Sequence, residues 1–256
     1  MDLDGCVYRD YVPTEGAVEA LNRLRRLGVR VVYVTNNPEA TSEELAERLH
    51  GLGVECSSED FITVGEAAAS YIYSRSGTSR VLVIAGDGVK KYCMRMGHRV
   101  LGMDEWDKAE YVVVGFDREI NYQKLVAGLR AILNGAIFIG TNPDAVHPGK
   151  NGLEPGSGAF VIMFEYMTGV KPIIVGKPSK IIMEQALKKL GMSPEEVLVV
   201  GDRVDTDVRA GKLVGADTAL ILTGITREKD LPNIPPELRP TYVFRNLREL
   251  VESLYT

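Results

Sequence analysis

Val29-Arg30-Val31-Val32-Tyr33-Val34-Thr35-Asn36-Asn37 is a run of β-branched and aromatic residues that ends abruptly in three polar ones. A continuous rather than alternating apolar run of this length suits a strand buried on both faces of a parallel sheet. Upstream, Pro13 and Thr14 open an expected helix that carries Val18, Leu21, Leu24 and Leu27 at helical spacing and stops at Gly28. Downstream, Glu43 to Leu52 reads as a second helix, ended near Gly51 to Gly53, and Phe61 to Val64 as a third strand. Strands alternating with helices place the chain in the α/β class.

A fresh series follows a Ser-, Gly- and Arg-rich stretch, Ser74 to Arg80. Val81 to Ala85, Tyr111 to Gly115 and Ala136 to Gly140 are expected strands, with helices at Val89 to Met96 and Tyr122 to Leu133. This block reads as an inserted domain with its own sheet, closing near Gly169 to Pro172. The main sheet is expected to resume with Ile173 to Val175, Val197 to Val200, Ala219 to Leu222 and Tyr242 to Phe244.

With 256 residues and 45% hydrophobic content, the chain can bury a substantial core, which excludes disorder as its main state. A net charge of −5 gives no global attraction to nucleic acid or anionic lipid, so neither is an expected partner. Cys6, Cys56 and Cys93 are an odd, widely spaced set without a zinc or disulfide pattern, which favours free thiols in a cytoplasmic protein. No apolar run approaches the length needed to span a bilayer.

Four segments carry the chemistry. Met1-Asp2-Leu3-Asp4-Gly5 sets two carboxylates at i and i+2, on one face of a strand, where like charges repel unless a cation or a proton transfer uses them. Val34-Thr35-Asn36-Asn37, Val175-Gly176-Lys177-Pro178-Ser179 and Val199-Val200-Gly201-Asp202-Arg203-Val204-Asp205-Thr206-Asp207 each end an apolar run with polar groups. In an open parallel sheet, ligands sit beyond the carboxyl ends of the strands, and that rule gathers Asp2, Thr35, Lys177 and Asp202 at one site. Hard carboxylate oxygens suit Mg²⁺, which is usually held by one or two carboxylates plus water and phosphate. Thr35, the amides of the turn after it, and Lys177 suit phosphate oxygens.

In this order the segments resemble the four motifs of the haloacid dehalogenase (HAD) superfamily of phosphohydrolases. The Thr-Asn-Asn, Gly-Lys-Pro and Gly-Asp-Arg-x-Asp-Thr-Asp segments, with the inserted block, are similar to the branch of the NagD and p-nitrophenyl phosphatases. The resemblance implies a Rossmann-like core with a parallel sheet, at residues 1–78 and 172–256, and an inserted α/β cap of the C2 type, at residues 79–171. It implies a Mg²⁺-dependent phosphomonoester hydrolase that acts on small phosphorylated metabolites or p-nitrophenyl phosphate through an aspartyl phosphate. By the same resemblance Asp2 is the nucleophile, Asp4 the general acid and base, and Thr35, Asn36 and Lys177 the phosphate-binding groups. Asp2, Asp4 and Asp202 would hold the metal, Asp4 through its backbone carbonyl, with Asp207 supporting Asp202. In the turn-rich segment Gly140 to Pro148, Asn142 and His147 would set substrate choice from the cap. Caps of this type pair, which implies a homodimer.

In the family the first strand has several apolar residues before the nucleophile, whereas only Met1 precedes Asp2 here. Unpaired backbone groups on both neighbouring strands would cost about 1–3 kcal/mol each, so the natural chain is expected to begin upstream. Three alternatives are a metal-independent dehalogenase, against which Asp4 argues, a phosphotransferase, and a non-catalytic phosphate-metabolite binding protein. A nucleotide P-loop at Gly176-Lys177-Pro178-Ser179 is excluded, because Lys171 stands where its first glycine belongs and proline interrupts the Lys-Ser step. His50 and His98 read as surface or helix-end residues, and Gly156-Ser157-Gly158 as a tight turn.

Overall fold

In a computed structural model of the chain, which describes residues 1–149 and 152–254, two compact units are present. One comprises residues 1–35, 42–62 and 177–256, the other residues 36–41 and 63–176.

The first unit is organised around its amino-terminal segment. Asp2 N donates to Val200 O and Val34 N donates to Met1 O, both at 2.8 Å. Residues 1–3 therefore run between the strands Leu198–Gly201 and Tyr33–Thr35. Leu198–Gly201, Asp217–Ile221 and Tyr242–Phe244 form parallel pairs on one side. On the other, Tyr33–Thr35 pairs with Phe61–Thr63, whose last residue is counted with the second unit. Leu3, Val34, Phe61, Val200 and Leu220 are buried in this sheet, each worth roughly 1.5–3 kcal/mol relative to exposure.

The helix before Tyr33 spans Ala17–Arg26 and buries Ala17, Ala20, Leu21 and Leu24. That i, i+3, i+4, i+7 stripe keeps Leu21 and Leu24 from the expected face, while Leu27 lies exposed. The helix starts later than expected because Val12–Pro13 is occupied in an antiparallel pair with Tyr8–Arg9. Thr14 Oγ1 donates to Cys6 O at 2.7 Å, tying this hairpin to the turn after Asp4.

The second unit holds a five-stranded parallel sheet in the order Ile173–Ile174, Ile137–Gly140, Tyr111–Val114, Arg80–Ile84, Arg99–Val100. Leu82, Ile84, Val112, Val114 and Phe138 pack from it onto Ala127, Ala131 and Ile132 of the helix Tyr122–Leu133, and onto Val161 and Phe164 of the helix Ser157–Thr168. Ile173–Ile174 corrects the expectation that it would rejoin the main sheet: it pairs with Ile139 and Gly140 of this sheet. Val175 N and Gly176 N continue that ladder to Gly140 O and Thr141 O.

Val64–Ser76 is a helix that the periodicity did not reveal. Its signal was the Thr63-x-x-Glu66 spacing, for Thr63 Oγ1 accepts from Glu66 N at 3.1 Å as an N-cap. Residues 36–41 join this unit through Val89 N, which donates to Pro38 O at 3.2 Å. His98, expected at the surface or at a helix end, follows the helix Asp87–Arg95 and is buried, with Nδ1 accepting from Ser79 N and Nε2 against Ala69 O.

Candidate active site

Within the first unit the carboxyl ends of adjacent strands deliver a buried charge cluster. Lys177 Nζ donates to Asp2 Oδ1 at 2.5 Å and to Asp207 Oδ1 at 2.6 Å. Asp207 is fixed further: its Oδ2 accepts from Arg203 N at 3.1 Å and from Thr206 Oγ1 at 3.4 Å. Both its oxygens are therefore committed to the protein, as suits a supporting residue. Lys177 is only 4% exposed, and Asp207 and Asp202 are buried with it.

Asp202 is held differently. Its Oδ2 accepts from Ile225 N at 2.6 Å, while its Oδ1, equally buried, has no hydrogen-bond partner among the described residues. The carboxylate lies between Gly5 and Gly224. A Cβ on Gly5, whose φ is +86°, would come within 2.5 Å of Asp202 Oδ2, and one on Gly224 would collide with the carboxylate outright. Glycine is needed at both positions for the backbone to close on this side chain. Thr223 Oγ1 donates to Gly5 O at 2.7 Å, locking the two turns together.

Carboxylate oxygens of Asp2, Asp202 and Asp207 lie within 4.8 Å of one another. Three ionised carboxylates, Asp202 and Asp207 buried and Asp2 partly so, beside one buried ammonium would leave an excess of two negative charges, and the titration behaviour follows. Burial, reinforced by Asp207 and opposed by Lys177, pushes the Asp2 carboxyl up from 3.8 to about 7. Burial and the charge of Asp2 raise Asp202 well above the usual carboxylate range. Burial acts to lower the Lys177 ammonium, yet Asp2 and Asp207 outweigh it and hold that group firmly protonated. Even the Cys6 thiol is pushed up, by burial and then by Asp2 and Asp202. A divalent cation would cancel the excess, and the donor set of hard oxygens, with one buried oxygen unsatisfied, fits Mg²⁺.

The remaining expected residues are placed as follows. Asp4 is exposed at a turn in which Gly5 N donates to Tyr8 O at 2.7 Å, and its carboxylate is not in the cluster of three. Thr35 is buried at the end of its strand. Asn36, Asn142 and His147 belong to the second unit. There Asn36 Nδ2 donates to Asp144 Oδ2 and Asn142 Nδ2 donates to Asn36 O, each at 3.0 Å. Asn142 is buried. His147, in the hairpin of Val146–Gly149 with Gly152–Pro155, is partly exposed, 3.5 Å from Glu154 and edge-on to Phe116.

Sequence reading missed Thr223, Gly224 and Ile225, which shape the Asp202 pocket. Their signal was available, since they follow the strand Asp217–Ile221 directly and so fall under the same rule of strand ends.

The profile of the haloacid dehalogenase-like hydrolases matches residues 1–99, and a HAD-hydrolase-like profile matches residues 174–250. An acid sugar phosphatase of Staphylococcus aureus is 37% identical over 254 residues, covering 99% of this chain and 96% of that protein. A p-nitrophenyl phosphatase from Archaeoglobus fulgidus superposes with a TM-score of 0.92 at 36% identity, covering 98% of this chain and 97% of its own. A glycerol phosphate phosphatase from Mycobacterium tuberculosis, solved in complex with magnesium, gives a TM-score of 0.90 at 32% identity, over 97% of this chain and 74% of its own.

Proposed function

The chain belongs to the haloacid dehalogenase-like hydrolases and is a phosphatase of that family, and from this premise we propose that Asp2 and Asp4 carry a two-step transfer of a phosphoryl group to water. An Asp2 carboxylate oxygen attacks phosphorus, and the bond to the leaving oxygen breaks as Asp4 gives it a proton. Water then attacks the aspartyl phosphate, its proton passing to Asp4. The phosphorus–Asp2 bond breaks, which returns the carboxylate and releases inorganic phosphate.

Each role has a physical basis in this chain. Lys177, protonated and 2.5 Å from Asp2 Oδ1, orients the nucleophile and offsets charge on the incoming phosphoryl oxygens. Asp2 and Asp202 would hold Mg²⁺, with the Asp4 backbone carbonyl beside them, and Asp207 would stay with Lys177. Bound there, the ion would supply the positive charge that keeps Asp2 ionised at neutral pH. Thr35 and the amides of the turn that follows it would take the phosphate oxygens. Asp4 is suited to proton exchange because its exposure lets it equilibrate with solvent.

The observation that carries this reading is the unbalanced charge: Asp2 and Asp207 share one lysine, and Asp202 stands beside them with its Oδ1 unsatisfied among the described residues. The substrate we propose is a small phosphorylated metabolite. Sugar phosphates come first, since relatives are named for sugar and glycerol phosphates. No helix of the described residues is long and apolar enough to cross a membrane, and a cytoplasmic location and pairing through the cap complete the proposal.

Release of nitrophenol from p-nitrophenyl phosphate with Mg²⁺, followed by a panel of phosphorylated metabolites, tests the reading. Asp2→Asn should lower turnover by roughly 10⁴-fold or more with the circular dichroism spectrum retained. Undiminished turnover in that variant would remove Asp2 from its assigned role.

A further inference from the structure

Asn36 is gripped from two sides by one loop of its own unit. Asn142 Nδ2 holds its backbone carbonyl and Asp144 Oδ2 holds its side-chain amide, both at 3.0 Å. The gripping loop is itself fixed. Asp144 N donates to Asn142 Oδ1 at 3.1 Å, and Gly158 N, at the start of the helix Ser157–Thr168, donates to Asp144 O at 2.8 Å. Asn142 is 3% exposed and lies next to Thr141, whose amide continues the sheet through Val114 O. A buried side chain with both amide ends committed to backbone cannot sort leaving groups. Its bonds instead set the path of the chain at residue 36, one peptide bond beyond Thr35.

We infer that Asp144, with Asn142, is a positioning residue for the phosphate-binding turn that begins at Thr35, acting through Asn36 on phosphate affinity and not on substrate choice. This rests on the phosphatase reading above, in which that turn meets the phosphoryl oxygens. A charge-assisted hydrogen bond from the Asn36 amide to Asp144 holds the turn in its binding shape before ligand arrives, and preorganisation of that kind is felt equally by every phosphate monoester and by phosphate itself.

The test measures kcat/KM for p-nitrophenyl phosphate and for a sugar phosphate, and the competitive inhibition constant of inorganic phosphate, in the full chain with Mg²⁺. Asp144→Ala should lower both kcat/KM values by one common factor of about tenfold and weaken inorganic phosphate by a similar factor. Asp144→Asn, which keeps an acceptor oxygen for Asn36, should recover most of that loss. In an Asn36→Ala background, Asp144→Ala should add less than about twofold, since the contact it breaks is already gone. The inference is overturned if the two substrates respond by different factors, if phosphate inhibition is unchanged, or if the Asp144→Ala effect persists in full without the Asn36 side chain. Should Asp144→Ala not fold, Asn142→Asp decides: it removes the donor to Asn36 O and must produce the same uniform loss, and different factors for the two substrates would overturn the inference. A wild-type chain inactive on both substrates would instead reject the phosphatase reading, so the two failures are distinct.

Discussion

Each unit buries a lysine against aspartate, and the two arrangements differ in their charge balance. In the second unit Lys124 Nζ donates to Asp117 Oδ2 at 2.8 Å, while Asp117 Oδ1 accepts from Glu119 N at 2.8 Å, so one cation meets one anion whose oxygens are both satisfied. In the first unit Lys177 is shared by Asp2 and Asp207, Asp202 stands beside them, and one buried carboxylate oxygen has no partner among the described residues. The Lys124–Asp117 arrangement is closed, with its charge matched and both carboxylate oxygens bonded. The Lys177 arrangement is left open to a cation, and open charge inside a protein is costly unless a ligand completes it. The difference separates a structural ion pair from a functional one without reference to burial, which is nearly the same in both, at 12% and 6% for the closed pair and 4% and 12% for Lys177 and Asp2.

Removing each lysine probes that contrast most strongly. Lys177→Met and Lys124→Met should each cost about 3–5 kcal/mol in thermal or denaturant unfolding, because each leaves buried carboxylate uncompensated. Only Lys177→Met should abolish phosphatase activity, and only its stability should be restored in part by Mg²⁺. Equal rescue of both variants by the metal would erase the distinction.

Next in size is the response of the wild-type chain to metal. Mg²⁺ at about a hundred times its dissociation constant should stabilise by about 2.7 kcal/mol, or roughly 5–10 °C in Tm for a chain of this size. EDTA should remove both that shift and the activity. Asp202→Asn should lose the shift; if it keeps the shift, the ion is bound elsewhere.

The smallest effect is that of pH on the metal-free chain. With the Asp2 carboxyl at 3.8 when unfolded and about 7 when folded, the native state holds a proton that the unfolded state releases between those values. The contribution is full below 3.8 and lost as pH climbs to about 7, at no more than about 1.4 kcal/mol per pH unit. Calorimetry from pH 5 to 8 in EDTA should show this decline in the wild type and a flatter profile in Asp2→Asn. Saturating Mg²⁺ should reduce or reverse the wild-type slope, since proton and metal compete for the same carboxylate.

Much of this was legible in the chain itself. Tyr122–Leu133 and Tyr242–Phe244 fall where periodicity placed them, because a long amphipathic stripe and a β-branched run bounded by turn residues have few other uses. The strand end that presents Asp202 was readable for the same reason. Val64–Ser76 was not, since its alanine-rich sequence, buried at six positions, carries little periodic contrast. Ile173–Ile174 was recognisable as a strand, but nothing local to two isoleucines says which sheet they join. Asn142 was placed in a turn-rich segment and, by resemblance, given a part in substrate choice; that it is buried and bonded to backbone was not legible. A turn-rich composition marks where the chain bends and is silent on what it bends around.

Sequence alone determined the class of chemistry. Thr35, Lys177 and Asp202, each just past an apolar run, and the paired carboxylates of Asp2 and Asp4 fall under one rule, by which a parallel sheet gathers its ligands at its carboxyl edge. Tertiary structure alone decided the charge balance: that Lys177 serves Asp2 and Asp207 together, that Gly5 and Gly224 close on Asp202, and that Asp144 takes hold of Asn36. Those facts depend on distances of a few ångströms between residues up to 197 positions apart, as Gly5 and Asp202 are. Electrostatic and hydrogen-bond energies are set by such distances and by the exclusion of water, neither of which is written in local order along the chain.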